Sequence, residues 1–165
     1  MTRLGASLAL ILLATVAAAG DAPTRELLYR VAIAETMQKY VWSVDSLDAA
    51  GYAAVFTEDG EIDSNGTLIK GRAAIARVVT DLKARQQANR EQGKPAGRLY
   101  HVISNERIEF VSADVAIYRS YWQTLRKGED ARFATGGFGR SEDRLARQRD
   151  GRWLIESRKL TVFTE

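Results

Sequence analysis

The spacing of apolar residues shifts late in this chain, and that shift fixes its architecture. Apart from a short hairpin around Asn65-Gly66, apolar positions up to residue 87 recur every three or four residues, the period of a helix; from residue 99 onward they alternate, the period of a half-buried strand. Helices first and strands afterwards exclude an alternating parallel sheet. They predict an α+β domain in which helices pack against one antiparallel sheet. A length of 165 residues gives room for one such domain and not for two.

The elements follow from local signals. Pro23-Thr24 opens a helix over residues 24–46, with Leu27, Val31, Ala34, Met37 or Gln38, Val41, and Val44 or Asp45 as its inward stripe. Asp48 caps a second, short helix that runs through Tyr52 to Phe56. Asn65-Gly66, between residues 61–64 and 67–70, is a two-residue hairpin signal. A third helix spans residues 72–87 with Ile75, Val78, Val79 and Leu82 inward, followed by a polar loop over residues 90–98. Four long strands are expected at 99–112, 115–125, 133–147 and 153–163, with turns at Ala113-Asp114, Lys127-Gly128-Glu129-Asp130 and Asp150-Gly151. The third should be bulged near Gly136, Gly137 and Gly139. A strongly curved, cone-shaped sheet with three N-terminal helices on its concave side encloses a pocket, the usual setting for a small ligand.

Composition removes several chemistries. Cysteine is absent, which excludes disulfides, thiolate nucleophiles and cysteine-bound zinc. There is one histidine, His101, and no carboxylate spacing that suggests a metal site, so no metal is expected. No phosphate-binding loop, dinucleotide fingerprint or serine elbow occurs, so no cofactor is expected either. Lys+Arg 24 against Asp+Glu 21 leaves +3 with the signs interspersed, which does not describe a nucleic-acid binder.

The first residues read as an address. Arg3, the apolar run from Leu8 to Val16 and the small residues Ala17-Ala18-Ala19 match a secretory signal peptide over residues 1–19, cleaved after Ala19. The run is shorter than the roughly 20 apolar residues of a membrane span. The expected product is periplasmic or secreted, with no stable membrane insertion after cleavage.

Few residues could carry catalysis. Asp45 lies four positions after Val41 on the inward stripe, where a carboxylate is partly withdrawn from water and becomes more basic. Periodicity alone fits a helix end facing solvent at least as well. His101 shares a strand face with Ile103 and Asn105. A lone strand histidine is more often structural, yet imidazole titrates near pH 6.5 when unperturbed, which suits proton transfer. An aspartate on one ring nitrogen would make the other a better base. Arg140, Arg144, Arg147, Arg149, Arg152 and Arg158 make the last hairpin basic; most should pair on the surface, while a buried one could stabilise an oxyanion.

The run Ile33-Ala-Glu-Thr-Met-Gln-Lys-Tyr40-Val-Trp-Ser-Val-Asp45, followed by Tyr52-Ala-Ala-Val-Phe56-Thr-Glu-Asp59, resembles the opening of the nuclear transport factor 2-like superfamily, in its SnoaL-like branch. Gly71-Arg-Ala-Ala-Ile75, Arg98-Leu-Tyr-His101-Val-Ile-Ser-Asn105, Gly139-Arg-Ser-Glu-Asp143-Arg144-Leu and Asp150-Gly-Arg-Trp153 follow in the same order, so the likeness covers residues 24–163. Ser141 stands where the closing motif often has an aromatic residue.

The branch is similar to scytalone dehydratase and hexachlorocyclohexane dehydrochlorinase. The resemblance implies a catalytic pair of His101 and Asp45 in a cone-shaped pocket. Tyr40, Tyr52, Phe56, Asn105, Tyr121 and Arg144 would contact a small-molecule substrate. It also implies a homodimer or homotrimer. The function it implies is a cofactor-independent lyase on a small hydrophobic, aromatic substrate: a dehydratase, or an enzyme that releases formaldehyde from a lignin-derived diaryl compound. An isomerase of the same mechanism and a non-catalytic periplasmic ligand-binding module are the alternatives.

Overall fold

In the computed structural model the described residues are 22–94, 97–127 and 132–163. The proposed signal peptide lies outside them, as do residues 128–130 of the expected turn. Three helices, α1 (Ala22–Ser46), α2 (Ala49–Ala54) and α3 (Arg72–Glu91), pack against six strands. The strands are β1 (Phe56–Ser64), β2 (Thr67–Lys70), β3 (Leu99–Ser112), β4 (Val115–Lys127), β5 (Phe133–Arg147) and β6 (Trp153–Val162). They form one sheet in the order β2-β1-β6-β5-β4-β3. Every neighbouring pair is antiparallel except β1 and β6, which run parallel. The N-terminal hairpin is thus joined to the long strands through the last strand of the sequence.

Two local signals start a helix and turn the chain as expected. Asp48 accepts a hydrogen bond from the Gly51 backbone N–H at 2.9 Å, closing the start of α2. Its replacement by Ala should cost about 1 kcal/mol in chemical denaturation, while Asp48→Asn should cost little. In the β1–β2 turn both Asn65 (φ 50°) and Gly66 (φ 87°) take the left-handed backbone that this hairpin needs.

Other expectations shift. Phe56 begins β1 instead of closing α2, and β1 starts five residues before the expected Glu61. The buried stripe of α1 is Ile33, Thr36, Met37, Tyr40 and Ser43, while Leu27 and Val31 are exposed. The helix is therefore rotated from its expected setting. Tyr29 contributes to this, since its ring packs against both Trp153 and Phe110 with centroids at 5.5 and 6.4 Å. Thr36 Oγ1 also donates to the Trp153 carbonyl at 2.9 Å, tying α1 to β6.

The end of α1 matters for the site. Asp48 N–H bonds the Ser43 carbonyl and Leu47 N–H the Val44 carbonyl, with Leu47 at φ 59°. This two-bond helix stop normally favours glycine. Leu47 takes it because its side chain packs against the core. The stop fixes the last turn, and Asp45 lies in that turn.

Candidate active site

Asp45, on the last turn of α1, meets His101 near the start of β3. His101 Nδ1 lies 2.6 Å from Asp45 Oδ1. The His101 backbone N–H also donates to the same carboxylate, at 3.1 Å to Oδ2 and 3.3 Å to Oδ1. The carboxylate therefore grips the residue at two points and sets the ring's orientation. With Nδ1–H donating to Asp45, Nε2 carries the ring's lone pair. The side chains keep 22% (His101) and 14% (Asp45) of their exposure, so the pair is largely but not wholly withdrawn from water.

His101 lines a cavity of about 180 Å³ between α1 and the sheet. Tyr40 and Val41 of α1 form one side. Ile103, Trp122, Thr124, Arg158 and Leu160 of the strands form the rest. Thr124 stands opposite His101 in the β3–β4 register, and Trp122 opposite Ile103.

Behind the cavity runs a buried polar network. Arg158 Nη1 donates to Asp143 Oδ1 at 2.8 Å, with side chains 1% and 0% exposed. Ser141 Oγ donates to Asp143 Oδ2 at 3.1 Å and stands 3.0 Å from Ser120 Oγ. Ser141, the departure noted in the closing motif, is thus a member of this network. The Arg158 guanidinium sits 4.2 Å from the Tyr40 ring centroid, a desolvated cation–π contact. Tyr52 Oη–H donates to Tyr40 Oη at 3.1 Å. Burial and the neighbouring Tyr40 hold the Tyr52 hydroxyl well above its usual range.

Burial also pushes the Asp143 carboxyl up to about 6, against the opposing pull of Arg158 and Ser141. The folded chain thus binds this proton more tightly than the unfolded chain, whose ordinary value is 3.8. The stability this group contributes is fully present below that value and is lost as pH rises through about 6. Asp143→Asn should flatten the slope of stability against pH between about 4 and 6, as read from denaturant melts at a series of pH values.

Several expected contacts lie elsewhere. Tyr52 and Phe56 are buried in the core beside Tyr40, with ring centroids 4.9 and 6.1 Å from it, so they support the cavity's floor. Asn105 does not share the inward face with His101. Asn105 has φ 54° and sits in a bulge between Ser104 and Arg107, which reverses the phase of β3. It lines an outer-face groove of about 400 Å³ with Tyr121, Arg107 and Arg140. That groove is larger than the His101 cavity, but it holds neither His101 nor Asp45.

Tyr121 is 41% exposed and clusters with Phe138 and Phe163 on this outer face. Arg144 is also outward, bonding Glu156 at 2.8 Å, because its neighbours Asp143 and Leu145 take the inward positions. The inward arginine is Arg158. Its placement depends on an irregularity in the β5–β6 ladder, where Arg144 pairs with Ser157 but Leu145 with Ile155. The extra residue moves the inward phase from Trp153 and Ile155 to Arg158 and Leu160. Among the described residues no group of three carboxylate, histidine or cysteine side chains is placed to hold a metal ion.

The sequence pattern of the SnoaL-like domain family matches residues 25–159. No curated protein matches significantly. Among solved structures, Rv3472 of Mycobacterium tuberculosis, a protein of unknown function, is 27% identical with a TM-score of 0.74, covering 87% of this chain and 77% of that one. An NTF2-like protein with a cystatin-like fold from Novosphingobium aromaticivorans is 26% identical with a TM-score of 0.72, covering 86% of each chain. ActVI-ORFA from Streptomyces coelicolor is 27% identical with a TM-score of 0.69, covering 82% of this chain and 97% of that one.

Proposed function

The chain belongs to the SnoaL-like domain family, which includes dehydratases and isomerases, and from that membership we propose that it is a cofactor-independent lyase acting on a small hydrophobic, aromatic substrate. The observation that carries this reading is the 2.6 Å contact between His101 and Asp45 at the cavity wall. His101 Nε2 accepts a proton from the substrate. Asp45 stabilises the imidazolium that results and keeps the ring aimed.

In a dehydration, the base takes a C–H proton, the electron pair forms the new double bond, and the departing hydroxyl leaves as water with the proton that His101 returns. In a formaldehyde-releasing reaction, the base takes the hydroxymethyl O–H proton. The C–C bond then breaks, formaldehyde departs, and the ring-bearing carbon is reprotonated. Arg158, at the cavity wall, supplies positive charge toward the oxygen or ring that becomes electron-rich. Isomerisation would return the same proton to another carbon.

Incubation with hydroxyl- and hydroxymethyl-bearing aromatic compounds, without added cofactor, tests the reading through release of water or formaldehyde. Binding without conversion of any of them sinks it.

The apolar run Leu8 to Val16 and the alanines that follow support an exported, periplasmic or secreted protein. The exposed aromatic cluster Tyr121, Phe138 and Phe163 on the outer sheet face supports a homodimer or homotrimer, with the cavities facing away from the contact.

A further inference from the structure

We infer that the cavity beside His101 admits one aromatic ring and no second fused ring, and that Trp122, seated on Gly137 and Gly139, sets this limit. The inference rests on the reading of this cavity as the substrate site. It deepens that reading by naming the size class.

Volume is the first argument. An apolar cavity of about 150 Å³ takes up benzene, while pockets for drug-sized ligands run from about 300 Å³. At about 180 Å³ the cavity here has room for a ring and a small substituent. A two-ring compound with separate rings could place one ring inside and leave the other at the mouth; a fused pair could not be divided in this way.

The second argument is what holds the wall. Trp122 of β4 stands opposite Gly139 of β5, and Thr124 stands opposite Gly137. A Cβ on Gly139 would lie 2.7 Å from Trp122 Cζ2 and 2.9 Å from Cε2, and one on Gly137 would lie 3.4 Å from Cζ3. The six-membered ring of the indole therefore lies across two positions that carry no side chain. Trp122 Nε1 is buried with no hydrogen-bond partner among the described residues. A buried tryptophan usually finds one. Here the ring's position is set by its seat on the backbone, not by a bond to its nitrogen. The backbone is crowded there as well: a Cβ on Gly139 would also come within 2.1 Å of the Thr161 carbonyl oxygen, so the position has no room for a side chain.

Isothermal titration with phenol and with 2-naphthol tests the limit without needing turnover. The parent protein should bind phenol and bind 2-naphthol at least about tenfold more weakly. Trp122→Leu should remove that discrimination by strengthening 2-naphthol binding about tenfold or more. Gly137→Ala is the control: its methyl would meet Cζ3 at an ordinary contact distance of 3.4 Å and should leave the ring, and the preference for phenol, in place.

Equal binding of the two probes by the parent, binding of neither, or an unchanged ratio in Trp122→Leu overturns the inference. A protein that selects phenol but converts no substrate keeps the size limit and loses the lyase reading. One that converts fused two-ring substrates through His101 keeps the lyase reading and loses the limit.

Discussion

His101→Gln should lower turnover by about 10²–10⁴-fold, the usual contribution of a positioned general base. Glutamine is close in size and can still donate to Asp45, so the cavity wall and the start of β3 stay in place. What disappears is the lone pair at Nε2. The loss should fall in kcat, with ligand binding nearly unchanged, because the missing interaction is made as the proton moves.

Asp45→Asn should cost less. An amide oxygen still accepts from Nδ1–H and from the His101 backbone N–H, and only the charge that stabilises the imidazolium is removed. Steady-state kinetics on one converted aromatic substrate, with thermal melts to confirm folding, separates the two variants. Full activity in His101→Gln would leave the family membership standing and remove the lyase.

The second large effect concerns stability. Arg158→Met should destabilise the fold by about 3–5 kcal/mol, the cost of breaking a buried ion pair by removing one partner. For a domain of this size that corresponds to a fall of roughly 10–15 °C in Tm. Asp143 would be left buried with only Ser141 as its donor, and the cation over the Tyr40 ring would be lost. Burial already pushes Asp143 up, and without Arg158 it should hold its proton to still higher pH. The destabilisation should therefore be larger at pH 8 than at pH 5. Adding Asp143→Asn to Arg158→Met should restore part of the loss, since no uncompensated charge then remains inside. Equilibrium denaturation of the two single variants and the double variant measures this. Strictly additive losses would mean that the two side chains do not act as a pair.

The element order was legible because each boundary carries local chemistry: Asp48 as a cap, Asn65-Gly66 as a turn, and the change of period before Leu99. The facing of strand residues was legible only where the ladder is regular. Asn105 is expected inside by alternation with His101, which a bulge in β3 interrupts and only the cross-strand pairing reveals; Tyr121, expected as a substrate contact from the resemblance, lies on the outer face of a regular stretch of β4. Arg158 is one of six arginines that the sequence offers in the last hairpin, and alternation does not single it out because the extra residue near Glu156 shifts the phase of β6.

Trp122 gave no signal of its own. Its setting depends on two glycines of the next strand; the bulge expected near them is present, with Gly136 as the extra residue, and nothing in the sequence shows that Gly137 and Gly139 also seat a ring. The meeting of Asp45 with His101 was not legible from periodicity, which left Asp45 free to face water. It was the resemblance that pointed to the pair.

The parallel pairing of β1 with β6 has a consequence for how the chain is made. β6 is the last element in sequence, yet it is flanked by β1 on one side and β5 on the other. A ribosome that has finished β5 has produced a hairpin with helices and a three-stranded ribbon that share no edge. Helix α1 touches β3, as at Asp45 and His101, but the sequence-distant closure that joins the two segments into one sheet is slow. The single sheet therefore waits for Trp153–Val162, and a chain stopped before Trp153 would leave its two sheet segments unpaired along those edges and open to proteolysis instead of giving a trimmed but working domain.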